Sequence, residues 1–214
     1  MKVILIDKNL QGVKTIISGL SLCRDKQCTA TTIEHCITAE PFPHLSALEM
    51  CWFAFLVEGL SVKTRIQLER HRLFSTIERS TRSINMSDAK FVTPETAKGA
   101  HTFRQSYSSA ISEYEEALHL GESFEDAAYL LPLGVTTKFQ IAGNGRVWFE
   151  WLQKRLCKKY VQAEHGSFAI EVWRLLKKEM DFFEYAMPCG DCRQYLICEN
   201  LAITGRLKPE DWDD

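Results

Sequence analysis

The chain has 214 residues, 45% hydrophobic and 25% charged, with a formal net charge of −2 and a pI near 6.3. That length holds one large domain or two small ones with a real core, and the near-neutral balance argues against a general nucleic-acid binder. No apolar run approaches the ~20 residues of a membrane span, and eight irregularly spaced cysteines in a chain of this size read as reduced thiols in a cytoplasm.

Lys2–Ile6 reads as a short buried strand, so the opening MKVILID is a first strand rather than a signal peptide. A polar, cysteine-containing region follows to about Glu40, and Pro41 and Pro43 break the chain. Met50–Glu58, in which Phe53, Phe55 and Val57 alternate, predicts a strand ended by Gly59. Ser61 is placed to cap a helix running to about His71. Thr93-Pro94-Glu95 predicts the start of a long helix, with Thr93 as cap, reaching about His119 and stopped by Gly121. Ser123 and Asp126 have the spacing of a capping box for a short helix before Pro132. Lys138–Ala142 stays open between a strand and the start of the next helix. Val147, Trp151, Leu152 and Leu156 recur at helical spacing from Asn144 to about Cys157. A last helix is predicted over about Gln162–Phe183, with Phe168, Val172, Leu175 and Leu176 on one face. No repeat or linker interrupts this order, and strands early with helices later indicate a single α+β domain.

Chemistry concentrates in RHRLFSTIERSTR, Arg70 to Arg82. Arg70, His71, Arg72, Arg79 and Arg82 lie there with Ser75, Ser80 and Glu78 among them. Planar guanidinium forks and hydroxyl donors are the groups that hold phosphate oxygens. In a nearly neutral protein such a run is a local feature.

The same residues carry a resemblance. Arg70-His71-Arg72, seven residues and then Ser80 is similar to the signature of the flavin-dependent thymidylate synthase family. Chance would give these four residues on the order of one time in a thousand in a chain this long. His44, Ser46 and Glu49 fit the family's H-x-S-x-L-E stretch, Gly59 and Ser61 its G-x-S turn, and Gln67 sits three residues ahead of Arg70. Leu131-Pro132, Thr137, Asn144, Arg146 and Arg155 fall at the family's spacing, so the likeness spans about His44–Glu171.

The resemblance implies an antiparallel sheet flanked by long helices, and a homotetramer whose sites are assembled from several subunits. It implies conversion of dUMP to dTMP, with 5,10-methylenetetrahydrofolate giving the carbon and FAD, reduced by NADPH, giving the hydride. Arg70, His71 and Arg72 would contact FAD, with Arg70 also near the nucleotide. His44, Ser46 and Asn144 would belong to the flavin and folate side. Gln67, Glu78, Arg79, Ser80 and Arg82 would form the nucleotide loop, Glu78 also touching the cofactor. Arg155 would face the pyrimidine carbonyl as the catalytic group.

The chain departs from the family at four positions. Ala128 stands where the family has a phosphate-holding arginine, Ser83 where it usually has Tyr, Met50 where it has His, and Glu150 at a polar flavin-contacting position. Either another cation, Lys138 or Arg79, holds the phosphate, or the substrate is another pyrimidine nucleotide such as UMP or dCMP, methylated or hydroxymethylated at C5. A third alternative is a non-catalytic phosphate or RNA-binding homologue. Trp148, Trp151 and Trp173 read as core, and His101, His119 and His165 receive no role. Cys189, Cys192 and Cys198 form C-x-x-C-x5-C. Zinc needs four ligands and no second pair follows, so the expectation is reduced thiols and no metal.

Overall fold

The computed structural model describes residues 1–9, 11–39, 44–157 and 161–186. Its strands are β1 (Lys2–Lys8), β2 (Trp52–Ser61), β3 (Ser75–Glu78) and β4 (Thr136–Asn144). They form one sheet in the order β1-β2-β4-β3. β3 is antiparallel to β4, with Ser75 opposite Ala142 and Glu78 opposite Phe139. At one end of the β1–β2 pair Asn9 N donates to Trp52 O, and at the other a Cβ on Gly59 would meet Met1, so this pair is antiparallel as well. The same holds for β2 and β4, whose ends are tied by Gly145 N to Cys51 O and by Val62 N to Val135 O. The expected antiparallel α+β sheet is therefore present.

The chain divides into two compact units. One comprises Met1–Ile4 and Phe55–Ala142, the other Leu5–Ala54 and the chain from Gly143 onward. The division points fall inside β1, β2 and β4, where the sequence carries no linker.

In the first unit, α3 (Val62–Leu68) follows β2 directly, with the Ser61 side chain accepting from Thr64 N. Downstream come α4 (Ala100–His119), α5 (Phe124–Ala127) and a 3-10 turn, Ala128–Leu130. Met86, Tyr114, Ala127 and Val135 form a small core there, with Phe91, Leu118 and Leu131 packed on it. The second unit contains α1 (Gly12–Arg24), α2 (Ala30–Ile37), a 3-10 helix over Leu45–Met50, α6 (Gly145–Arg155), α7 (Ala163–Glu179) and a 3-10 turn over Asp181–Tyr185. Its core is aromatic. Trp148 meets Trp151 edge-on, Trp151 meets Phe168 and Phe53 meets Phe183 in the same way. The indole N–H groups of Trp148 and Trp173 donate to Phe53 O and Phe183 O. All three tryptophans are core residues, as their spacing indicated.

Several boundaries differ from the sequence reading, each for a local reason. Gly59 does not end β2. It takes φ +81 within the strand, a conformation open to glycine, and the strand continues to Ser61. The helix capped by Ser61 stops at Leu68 rather than His71. Arg70 N and His71 N bond back three residues, to Gln67 O and Leu68 O, and close a turn instead of another helical rung. Thr93-Pro94 opens a turn closed by Ala97 N to Pro94 O, and the long helix begins only at Ala100, after Gly99. Met180, extended at φ −147, ends α7 at Glu179 before the 3-10 turn. The open segment Lys138–Ala142 is strand. The polar stretch before Glu40 folds into α1 and α2, and β3 lies within the run read as a loop.

Candidate functional site

Among the described residues, a cleft in each unit bears on the expected site. In the first, β3 delivers the centre of the arginine-rich run to a wall. Glu78, Arg79, Ser80, Thr81 and Arg82 line a cleft of about 410 Å³ together with Val62, Met86, Thr136 and Thr137. The β3–β4 ladder continues one step beyond Glu78, since Arg79 N donates to Lys138 O at 2.8 Å. Arg79 Nη2 donates to Asn85 O at 3.0 Å and lies 3.8 Å from the exposed Asp88 carboxylate. Arg82 Nε pairs with Glu125 Oε1 at 2.9 Å, and Arg82 N donates to Ser80 Oγ. Two guanidiniums and a row of hydroxyls on one wall suit an anionic ligand carrying phosphate oxygens.

Glu78 is held from behind. Its Oε1 accepts from Thr137 Oγ1 at 2.7 Å and its Oε2 lies 3.2 Å from Arg65 Nη2. Arg65 is the buried cation of this unit, its side chain 6% exposed. It also bonds Thr76 Oγ1, packs its guanidinium over Phe139, and has Nη1 2.9 Å from Glu69 Oε1. The sequence reading passed over Arg65. The available signal was Glu69 four residues on and Glu78 within the motif.

Other predicted residues stand differently. Lys138 does not line the cleft. Its side chain is exposed, and Nζ pairs with Glu58 Oε1 at 2.5 Å. Bonding to Lys138 holds the Glu58 carboxyl below its usual range. Of the two cations weighed for the phosphate, the cleft contains Arg79 alone. Gln67 and His71 are half-buried, and the His71 ring lies beside Phe74. Arg70 and Arg72 are exposed in the turn after α3, and neither has an acidic partner among the described residues. Ser83 is exposed, and Ala128 opens the 3-10 turn after α5.

In the second unit His44 and Ser46 line a cleft of about 510 Å³ with Ile16, Leu20, Cys23, Arg24 and other residues of α1, α2 and the Leu45–Met50 helix. The 3-10 helix packs against both α1 and α6. Its approach to α6 leaves no room for a side chain at the junction: a Cβ on Gly145 would lie 2.4 Å from Cys51 Sγ and 2.8 Å from Leu48 O. Cys51 Sγ donates to Leu48 O, and burial pushes its thiol pKa up to about 12. Asn144 ends β4 and caps α6, its Oδ1 accepting from Val147 N at 3.0 Å. Two residues on, Arg146 bridges Glu150 and Glu49, at 2.7 Å each, and these two carboxylates raise its pKa. Glu150, the acidic departure from the family pattern, is thus engaged by Arg146. Arg155 closes α6, half-buried, and burial pushes its guanidinium pKa down. Cys189, Cys192 and Cys198 lie outside the described residues. No helix among the described residues is long and apolar enough to cross a membrane.

Residues 5–180 match the thymidylate synthase complementing protein family. A flavin-dependent thymidylate synthase of Sulfolobus acidocaldarius is 27% identical over 217 residues, covering 94% of this chain and 82% of that protein. Another, from Pyrococcus furiosus, is 32% identical over 180 residues, covering 78% of this chain and 73% of the relative. Thymidylate synthase X of Helicobacter pylori, crystallised with FAD and dUMP, shares the fold with a TM-score of 0.73 at 19% identity, over 87% of this chain and 99% of that one. Motif, fold and matched length agree: the chain belongs to the thymidylate synthase complementing protein family, that of the flavin-dependent thymidylate synthases.

Proposed function

We propose that the protein is a flavin-dependent thymidylate synthase. It methylates dUMP to dTMP, taking the carbon from 5,10-methylenetetrahydrofolate and the hydride from NADPH-reduced FAD, and works as a cytoplasmic homotetramer with shared sites. The observation that carries this reading is the gathering of Arg79, Ser80 and Arg82 on the wall of one cleft, in a chain of this family. Arg79 and Arg82 meet the nucleotide phosphate, with Ser80 and backbone N–H groups completing its shell. Gln67 and Arg70 hold the nucleotide from the α3 side.

The residues present suit FAD. Arg70 and Arg72 offer two guanidiniums without acidic partners among the described residues, as a pyrophosphate requires. His71 and Glu78 add hydrogen bonds. The cleft holding His44 and Ser46 offers apolar walls for a ring of the folate-type donor. When bound, FAD supplies the hydride chemistry. The protein binds, orients and stabilises charge. Asn144 is placed on a rigid helix start, its amide nitrogen left to donate while its oxygen caps α6. Arg155 keeps its charge in a half-buried setting, where a pyrimidine carbonyl gaining negative charge is stabilised more than in water.

Purified protein is expected to be yellow, and to oxidise NADPH faster with dUMP and methylenetetrahydrofolate present. Mass spectrometry of products from dUMP, UMP and dCMP, assayed side by side, identifies the substrate. Ala128 and Ser83 motivate the second reading, that another pyrimidine nucleotide is modified. That reading fails if dUMP is best and gains only a methyl group. A colourless protein that cannot be reconstituted with FAD ends both.

A further inference from the structure

The cleft of the second unit joins an apolar wall to a cation that its surroundings leave unanswered. Ile16, Leu20, Ala47 and Met50 supply the wall, and His44 and Ser46 stand among the polar lining. Two charged residues also line it, Glu49 and Arg24. Glu49 is engaged by Arg146 at 2.7 Å. Arg24 donates from Nη2 to the buried Cys36 Sγ at 3.4 Å, a weak and neutral acceptor. No carboxylate among the described residues pairs with it. Of these two charges Glu49 has an ionic partner and Arg24 has none among the described residues. Its position is set by the fold, because α1 ends at Arg24 and the left-handed Asp25, φ +49, closes the helix through bonds to Leu22 O and Ser21 O.

We propose that Arg24 receives the carboxylate of a flat heteroaromatic ligand with an acidic tail, the glutamate end of the folate-type one-carbon donor. This rests on the proposed function, which puts that donor on the side of His44 and Ser46. Two other anions of the reaction have cations of their own in that reading: Arg79 and Arg82 for the nucleotide, Arg70 and Arg72 for FAD. A guanidinium takes a carboxylate through two parallel bonds, whereas the thiol now beside it gives one weak contact that a ligand displaces at little cost. A volume of about 510 Å³ is within the range of small-molecule sites.

The test uses holoenzyme and two donors, methylenetetrahydrofolate and the corresponding pteroate compound that lacks the glutamate. Arg24→Gln should raise KM for the glutamate-bearing donor about tenfold, the loss of one charge-assisted contact. It should leave KM for the truncated donor, KM for dUMP and FAD absorbance unchanged, and Arg24→Lys should recover part of the loss. An unchanged KM for both donors, or an equal rise for both, overturns the proposal. Loss of FAD in Arg24→Gln also overturns it, assigning the cation to the flavin. If wild type turns over no nucleotide, the proposed function fails separately. Quenching of tryptophan fluorescence by the two folates then decides, since only the glutamate-bearing one should bind more weakly to the variant.

Discussion

Arg65 holds a charge that water barely reaches, and its partners determine what that charge costs. Glu78 answers it at 3.2 Å while lining the cleft of this unit, so one carboxylate serves both the core and the cleft wall. Removing one member of a buried pair leaves the other uncompensated, whereas removing both avoids that penalty. Glu78→Gln and Arg65→Met are each expected to lower unfolding stability by about 2 kcal/mol, because Glu69 and Thr137 retain part of the network. The double variant should lose less than the sum of the two. Urea unfolding at constant m-value checks this, and strict additivity would dismiss the coupling. The sequence displayed Glu78 clearly, inside a dense motif, and hid Arg65. Burial is decided by which face of α3 meets β4, and one arginine in a short helix gives no sign of that.

At the β4–α6 junction one asparagine does the work of a cap and is also expected to serve the flavin. Its Oδ1 is committed to Val147 N, and only its amide nitrogen remains for a ligand. Asn144→Ala should lower stability by about 1 kcal/mol, the usual loss of a cap, and also lower flavin content. Asn144→Asp keeps an acceptor at the helix N-terminus, where negative charge is favourable, but removes the donor. It should be as stable as wild type and hold less FAD, read from thermal melts and the visible spectrum. Full flavin occupancy in Asn144→Asp would leave Asn144 with the cap alone. The helix at this junction was legible because Val147, Trp151, Leu152 and Leu156 recur at helical spacing from Asn144. α1 was not: glycine at 12 and 19, serine at 18 and 21, and the β-branched run Thr15-Ile16-Ile17 all weaken its intrinsic preference. It forms because Ile16 is fully buried and α1 packs on α2 and the 3-10 helix. β3 was hidden for a similar reason, being four residues long and rich in polar groups, and existing only through its register with β4.

For the whole molecule, the surface of the first unit bears on assembly. Of the 20 residues of α4, only Tyr114 is buried, far less than a helix of that length normally covers. α4, α5 and the following 3-10 turn pack on one another. In and just after them stand Leu120, Tyr129 and Leu133, 79%, 89% and 54% exposed. Large apolar side chains this open, on elements already in contact, are the surface on which the expected assembly is predicted to form. The expected assembly has four times the 24.6 kDa mass of one chain. Tyr129→Glu combined with Leu133→Glu should shift the light-scattering mass to a smaller species, and flavin should be lost with it, because a site completed by neighbouring chains cannot retain its cofactor alone. Far-UV circular dichroism should not change, since neither side chain supports the fold of its own unit. A wild type that stays monomeric at tens of micromolar would end the shared-site reading. A double variant that keeps the full mass would instead move the interface to the exposed face of β3, where Ile77 stands open on the sheet edge.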